Sequence, residues 1–111
     1  MSVKYKTLVV NYAIATGNVD FPSMLVSGSN VMCTVNIEGL NEADASVELH
    51  QSIDEISWGL VPDSTKTLSS GQTSHTWNVR GLVSGAYLRV SFKKGSASAG
   101  TIANIKLLCD A

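Results

Sequence analysis

Apolar and polar residues alternate along several segments of this chain with a period of two. Val31, Cys33, Val35 and Ile37 occupy every second position of one segment. The same spacing recurs at Leu88, Val90 and Phe92, and again at Thr101, Ala103, Ile105, Leu107 and Cys109. Successive side chains of a β-strand point to opposite faces, so this spacing predicts strands that each have one buried face.

Turn-forming residues separate the predicted strands. Gly, Ser, Asn and Pro cluster in connections that recur about every ten residues, which is typical of β-sandwiches and barrels. The one stretch with helical character, residues 41–46, is too short to be stable as an isolated helix. The predicted strands are 3–12, 31–38, 45–51, 57–61, 66–69, 74–79, 86–93 and 101–108. We therefore predict an all-β single domain, an antiparallel β-sandwich of jelly-roll type.

The candidate core consists of apolar residues that share one parity on successive strands. We expect these side chains to lie between two sheets, because a sandwich buries one face of each sheet against the other. The predicted core residues are Val35, Ile37, Val47, Leu49, Trp77, Leu88, Val90, Ile105 and Leu107.

The first predicted strand is apolar on both faces near its centre. Leu8, Val10 and Tyr12 share one face, and a valine lies on the other. Exposed apolar patches on the order of several hundred Å² usually mark interfaces. We therefore divide the chain into an N-terminal strand or arm, residues 1–28, and a β-sandwich core domain, residues 29–111. The arm is the predicted docking segment, through Leu8, Val10 and Tyr12, and an edge strand with unpaired backbone groups is one way to dock.

Charged residues are scarce, at 15% of the 111 residues against about 25% in average soluble domains. The surface must therefore consist largely of small polar residues and exposed apolar atoms, which suits self-association and packing against other subunits. The net charge of −1 gives no electrostatic basis for binding nucleic acid or an anionic membrane. No apolar run approaches the ~20 residues of a transmembrane helix, and the run at residues 8–10 is too short for a secretion signal.

The two cysteines, Cys33 and Cys109, lie at inward positions of their predicted strands. If these strands pair antiparallel, the two sulfurs come close together. Two buried free thiols are the favoured interpretation, since free cysteine is commonly buried. A disulfide formed under oxidising conditions is the alternative. Neither cysteine has a His or a second Cys at ligand spacing, so no metal site is predicted.

No catalytic set of residues accompanies the strands. His50 lies beside Glu48 on the outward face of its strand, and we interpret the two as a solvated pair. His75 shares its parity with Trp77 and is predicted to be a partly buried structural histidine. No serine lies in a G-x-S-x-G context. The sequence thus predicts no catalytic residue, no cofactor and no metal, and a hydrolase would require one of these histidines beside a nucleophile in a pocket.

The two tryptophans are the side chains best suited to stack on a sugar ring. We favour core packing for both Trp58 and Trp77, and a glycan-binding module would instead require one of them to be exposed among hydrogen-bonding side chains. On the strand 86–93, Arg89 is expected to pair with Glu48 or Glu38 across strands.

Three segments resemble small structural proteins of tailed-phage virions. Residues 47–58 (VELHQSIDEISW) resemble a strand that runs through a turn into a Trp in that family, and residues 74–79 (SHTWNV) resemble the next strand. Residues 87–101 are similar to its Arg-Tyr-Val-Arg-Val strand and Ser-Gly-Thr-Gly-Thr turn. The family has Asn-Asp-Gly where residues 53–55 stand here. We expect this turn to adopt another conformation, because Glu disfavours the positive φ that Gly accepts.

The resemblance covers residues 31–108 and implies a non-enzymatic structural role in a tailed-phage particle. An auxiliary or decoration protein bound to the capsid is the first expectation, and a neck or tail protein is the nearest alternative. The implied partners are the major capsid protein, other virion proteins and sister copies. The implied location is the virion, assembled in the cytoplasm of a bacterial host. A glycan-binding β-sandwich is the alternative from another class.

Overall fold

The alternating stretches form β-strands in the computed structural model, which describes residues 4–110. The first strand is predicted to begin at Val3, which lies outside the described residues. Residues 1–3 of the predicted N-terminal arm and residue 111 of the predicted core domain also lie outside them. The strands are β1 (Lys4–Ala13), β2 (Val19–Asp20), β3 (Met24–Leu25), β4 (Val31–Glu38), β5 (Ser46–Ser52), β6 (Gly59–Leu60), β7 (Lys66–Thr67), β8 (Ser74–Val79), β9 (Tyr87–Lys93) and β10 (Thr101–Cys109). A short 3-10 helix, Ile14–Thr16, follows β1.

The strands form two antiparallel sheets. Sheet A has the order β1, β10, β4, β8, and sheet B has the order β2, β9, β5, β6, with β3 also beside β9 and β7 also beside β5. From β4 onward the chain crosses from one sheet to the other and back, so strand neighbours are rarely consecutive in sequence. This is the double Greek-key arrangement of a jelly roll. The predicted all-β antiparallel sandwich is confirmed.

The core lies between the two sheets, and all nine predicted core residues are buried in it. Val35, Val47, Leu49 and Val90 have no exposed surface. Burial of this kind stabilises a protein by about 1.5–3 kcal/mol for each large aliphatic side chain. The period-two pattern therefore identified the inward face of β4, β5 and β9 correctly.

The last strand departs from strict alternation. The register between β10 and β4 shifts by one residue between Ile102 and Asn104, which makes Ala103 the extra residue of a β-bulge. Ile102 is fully buried, whereas Thr101 and Ala103 are only half-buried. The prediction that Thr101 and Ala103 share the inward face with Ile105 is wrong, because the bulge reverses the parity of the residues before it.

Several predicted elements are shorter than expected. The stretch 57–61 contains only the two-residue strand β6, because the residues before it form a hydrogen-bonded turn. In that turn the N–H of Ser57 donates to Asp54 Oδ1, and Trp58 Nε1 donates to the Glu55 carbonyl. The stretch 41–46 forms no helix, since Asn41 and Asp44 accept hydrogen bonds from the backbone of the 94–100 connection.

Residues 4–28 contribute to both sheets. β1 pairs with β10 along its length, and β2 and β3 pair with β9 on the opposite sheet. Ile14, Phe21, Met24 and Val26 are buried in the core. A large truncation of this segment would therefore remove parts of the core, and point substitutions are the better test of what its surface does.

The two cysteines lie near each other on the inward face of sheet A. β4 and β10 pair antiparallel, with Cys33 opposite Leu107 and Cys109 opposite Val31. Both are free, buried thiols. Burial, with a smaller contribution from the neighbouring Cys109, raises the pKa of Cys33 from 9.0 to about 12.

This raised pKa predicts a loss of stability in alkaline solution. Below about pH 9 the Cys33 thiol is protonated in both the folded and the unfolded chain, so its ionisation does not lower the free energy of unfolding. Between pH 9 and about 12 the unfolded thiol ionises while the buried one stays protonated, so the free energy of unfolding falls. Between about pH 8 and pH 10 the free energy of unfolding should fall in both proteins. We expect the fall to be about 1 kcal/mol smaller in Cys33→Ala than in the wild type. Urea unfolding at a series of pH values measures the free energy of unfolding of each protein. An equal fall in the wild type and in Cys33→Ala would contradict the prediction.

Candidate interaction surfaces

The first strand forms one edge of sheet A and presents two different faces. Leu8, Val10 and Tyr12 point inward, are half-buried and pack against the core. The Tyr12 hydroxyl donates to the Gly17 carbonyl at 2.8 Å. The exposed apolar side chains of this strand are instead Tyr5, at 59%, and Val9, at 66%. Parity alone did not show which face of β1 turns to solvent.

The outer face of sheet A is polar but nearly uncharged. One row across it contains Thr7, Lys106, Thr34 and Thr76, and the hydroxyl oxygens of Thr34 and Thr76 lie 2.8 Å apart. Apart from Lys106, these side chains are short and uncharged, so they lose little rotamer entropy and little hydration when a partner covers them.

A rigid loop presents two isoleucines at one end of the sandwich. The Ser52 hydroxyl accepts hydrogen bonds from the N–H groups of Asp54 and Glu55. Asp54 Oδ1 accepts from the N–H groups of Ser57 and Ile56, and these bonds, that from Ser57 first, lower the pKa of Asp54. Glu55 has a φ of 63°, so the expectation that this turn avoids the left-handed conformation is wrong. The Ser52 and Asp54 bonds stabilise that conformation.

This loop leaves Ile53 86% exposed and Ile56 82% exposed. Val83, at 74%, lies in the neighbouring 80–86 connection, and Ile53 and Val83 line one hollow of about 470 Å³. We call Ile53, Ile56 and Val83 the apolar tip. The alternation of apolar and polar residues does not predict this tip. The sequence feature that could have indicated the tip is the placement of two isoleucines among turn-forming Ser and Asp residues, where no neighbouring strand covers them.

The same end of the sandwich carries a groove on the side of sheet A. It has a volume of about 340 Å³ and lies where β4 begins and where β8 and β10 end. Met32 and Leu108 line it and are 44% and 38% exposed. Its lining residues are Asn30, Val31, Met32, Asn78, Val79, Arg80, Leu108, Cys109 and Asp110. We call this hollow the β4–β8 groove.

The outer face of sheet B carries most of the paired charges. His50 Nε2 lies 2.6 Å from Glu48 Oε2, and Lys93 Nζ lies 3.6 Å from the other oxygen of that carboxylate. Glu48 is only 9% exposed, so its pair with His50 is more buried than the solvated pair we predicted.

Arg89 pairs with a residue that the sequence did not suggest. Its Nη2 lies 3.4 Å from Asp20 Oδ2, whereas Glu48 or Glu38 was expected. The reason is that β2 adds beside β9 and places Asp20 opposite Ser91, whose hydroxyl donates to Asp20 at 2.6 Å.

The tryptophans occupy different environments. Trp77 is buried, as predicted, and its Nε1 donates to the Ser64 carbonyl at 2.7 Å. Trp58 is only half-buried and is not a core residue, so its predicted core packing is wrong; the Arg89 guanidinium lies 4.1 Å from its ring centre. One face of the Trp58 ring is thus taken by a cation–π contact, which leaves only its other face for a sugar.

The histidines lie in separate surroundings. His75 packs edge-on against Trp77, with ring centres 4.8 Å apart, and burial, followed by the charge of Lys66, lowers its pKa. In residues 4–110 no three His, Cys, Asp or Glu side chains are grouped as metal ligands. None of the helices in this part of the chain is long and apolar enough to cross a membrane.

No protein-family model matches the chain, and no curated protein matches it in sequence. Solved structures share its fold at low identity. Eiger TNF from S. frugiperda is 12% identical, over 98% of this chain and 93% of that one, with a TM-score of 0.52. A protein of the disulfide-linked pili of Bacillus endospore appendages is 10% identical, over 96% and 85%, with a TM-score of 0.51.

A chain of infectious bursal disease virus, Gx strain, has the same fold. It is 10% identical, with a TM-score of 0.51, and the match covers 96% of this chain but 31% of the viral one. At this identity the likeness concerns the fold alone. The jelly-roll sandwich of this chain is a fold also found in a virus and in an endospore appendage.

Proposed function

We propose that this chain is a non-enzymatic structural component of a tailed-phage particle, an auxiliary protein that attaches to the head. The observation that carries the proposal is the outer side of β1. It is an edge strand of ten residues with Tyr5 and Val9 exposed, beside a nearly uncharged sheet face. The resemblance of residues 31–108 to small virion proteins supports the same role.

The two faces of β1 have different roles in this proposal: one holds the strand on the core and the other contacts the partner. Leu8, Val10 and Tyr12 fasten the strand to the core, and this holds the docking segment in a fixed position. Tyr5 and Val9 then contact the major capsid protein, and the free backbone edge of β1 offers unpaired N–H and C=O groups to a partner strand. A rigid surface binds with a smaller loss of conformational entropy than a flexible one.

Val9→Asp is expected to abolish attachment while the domain stays folded. The aspartate places a charge at the centre of the docking face, and we expect at least a tenfold loss of affinity, which corresponds to about 1.4 kcal/mol. The measurement is binding of purified protein to phage heads assembled without it, followed by sedimentation of the heads.

The matched control is Leu60→Asp, an apolar-to-acidic change at a 49% exposed position on β6, far from β1 in the opposite sheet. We expect this variant to bind heads like the wild type. Equal binding of Val9→Asp and wild type would place the docking face elsewhere. Attachment to tails instead of heads would support the neck or tail alternative.

A further inference from the structure

We propose that copies of this chain associate through one end of the sandwich, with the apolar tip of one copy seated in the β4–β8 groove of another. This contact uses residues at the end of the sandwich and is separate from the attachment through β1. It therefore holds or fails independently of the role in a phage particle.

The tip has the properties of a preformed insert. Ile53, Ile56 and Val83 are the three most exposed large hydrophobic side chains in residues 4–110. The Ser52 and Asp54 hydrogen bonds hold the loop, and the Ser23 hydroxyl donates to Glu55 Oε2 at 2.6 Å. Covering these side chains removes apolar surface from water, worth about 25 cal/mol per Å², with little loop ordering to oppose it.

The groove has the size and lining to receive the tip. A cavity of about 150 Å³ holds one benzene molecule, so about 340 Å³ accommodates more than one branched aliphatic side chain. Val31, Met32, Val79 and Leu108 supply its apolar lining. Met32 and Leu108 are partly exposed, and an inserted tip would cover them.

The charges beside the two surfaces are complementary, which favours a second copy as the occupant. Asp54 and Glu55 lie between the two tip isoleucines, and neither forms an ion pair in the described part of the chain. Arg80 lines the groove, is exposed and is likewise unpaired there. Asp110, the other charged lining residue, accepts hydrogen bonds from Ser29 and Asn30, as Asp54 does from Ile56 and Ser57. The ion pair expected across the contact is therefore Glu55 with Arg80.

The apolar tip and the β4–β8 groove are distinct surfaces that lie side by side at one end of the sandwich. The tip loop follows β5 of sheet B, whereas the groove lies on strands β4, β8 and β10 of sheet A. Because each copy carries both surfaces at the same end, two copies related by a two-fold axis can each seat their tip in the other's groove, which closes a dimer. A tip–groove contact that is not returned by the second copy would instead build closed rings, or open filaments where the rotation does not close.

The first test is the mass of the purified chain in solution, measured by light scattering or sedimentation equilibrium. We expect an assembly whose mass is a multiple of 11.7 kDa. Ile56→Asp and Arg80→Glu are each expected to be folded monomers, with at least a tenfold weaker association. Leu60→Asp is the matched control and should retain the wild-type mass. A monomeric wild type, or an unchanged mass for Ile56→Asp, would overturn the proposal.

The second test asks whether the partner is another copy. Combining Arg80→Glu with Glu55→Lys in one chain reverses both charges and should restore the wild-type mass, whereas each single change should not. Mixing Ile56→Asp with Arg80→Glu should give pairs and nothing larger, because one intact groove meets one intact tip. Failure of both rescues would show that the tip and groove do not meet. An assembled chain that fails to bind heads would refute the proposed attachment alone.

Discussion

Val90→Asp is expected to leave the chain unfolded. Val90 lies at the centre of β9, pairs with Leu49 of β5 and has no exposed surface. An unpaired carboxylate at this position costs several kcal/mol, which is comparable to the roughly 5–15 kcal/mol total stability of a small domain. Circular dichroism and thermal unfolding of the purified variant measure the outcome.

The control for Val90→Asp is the same change at Val9, which is 66% exposed. Val9→Asp should melt cooperatively within a few degrees of the wild type. A soluble Val90→Asp variant that unfolds cooperatively would show that the register of β9 differs from the one described.

Gly100→Ala should destabilise the domain strongly through the backbone. Gly100 has a φ of +121°, and a Cβ there would lie 2.9 Å from the Glu38 carbonyl oxygen and 3.0 Å from the backbone of Gly39. The conformation alone costs a residue with a side chain about 1–3 kcal/mol, and the contact with backbone atoms adds to it. Urea unfolding gives the free energy difference.

Gly59→Ala is the matched control, because a Cβ at Gly59 meets nothing within 4 Å and Gly59 is not among the glycines with positive φ. We expect this variant to unfold within about 0.5 kcal/mol of the wild type. A Gly100→Ala variant as stable as Gly59→Ala would mean that the connections after β4 and before β10 do not approach each other as closely as described.

The main strands were predictable because alternation is a local property of a half-buried strand. β4, β5, β8 and β9 lie close to their predicted ranges. The bulge at Ala103 was not predictable, since it depends on how β1 and β4 pair with both edges of β10. The two-residue strands such as β6 are too short for any periodicity, and their pairing with longer neighbours defines them.

The interaction surfaces were harder to predict than the core. An isoleucine is usually expected in the core. Ile53 and Ile56 are exposed because the Ser52 and Asp54 hydrogen bonds hold their loop away from it, and the sequence pattern does not reveal these bonds. Docking through the first strand stays a prediction, and in it Leu8, Val10 and Tyr12 hold the strand on the core while Tyr5 and Val9 make the contact. The position of that strand at the edge of sheet A determines which of its faces is exposed to solvent. The local alternation of apolar and polar residues does not predict this position.

The most direct test of the structural role is the protein composition of intact phage particles, measured by quantitative mass spectrometry. The proposed role predicts that tailed-phage particles purified from cells in which this chain is produced contain it at a fixed number of copies per major capsid protein, and that removing the tails leaves that number unchanged. Its absence from purified particles, or a copy number that varies between preparations, would contradict a structural role in the head.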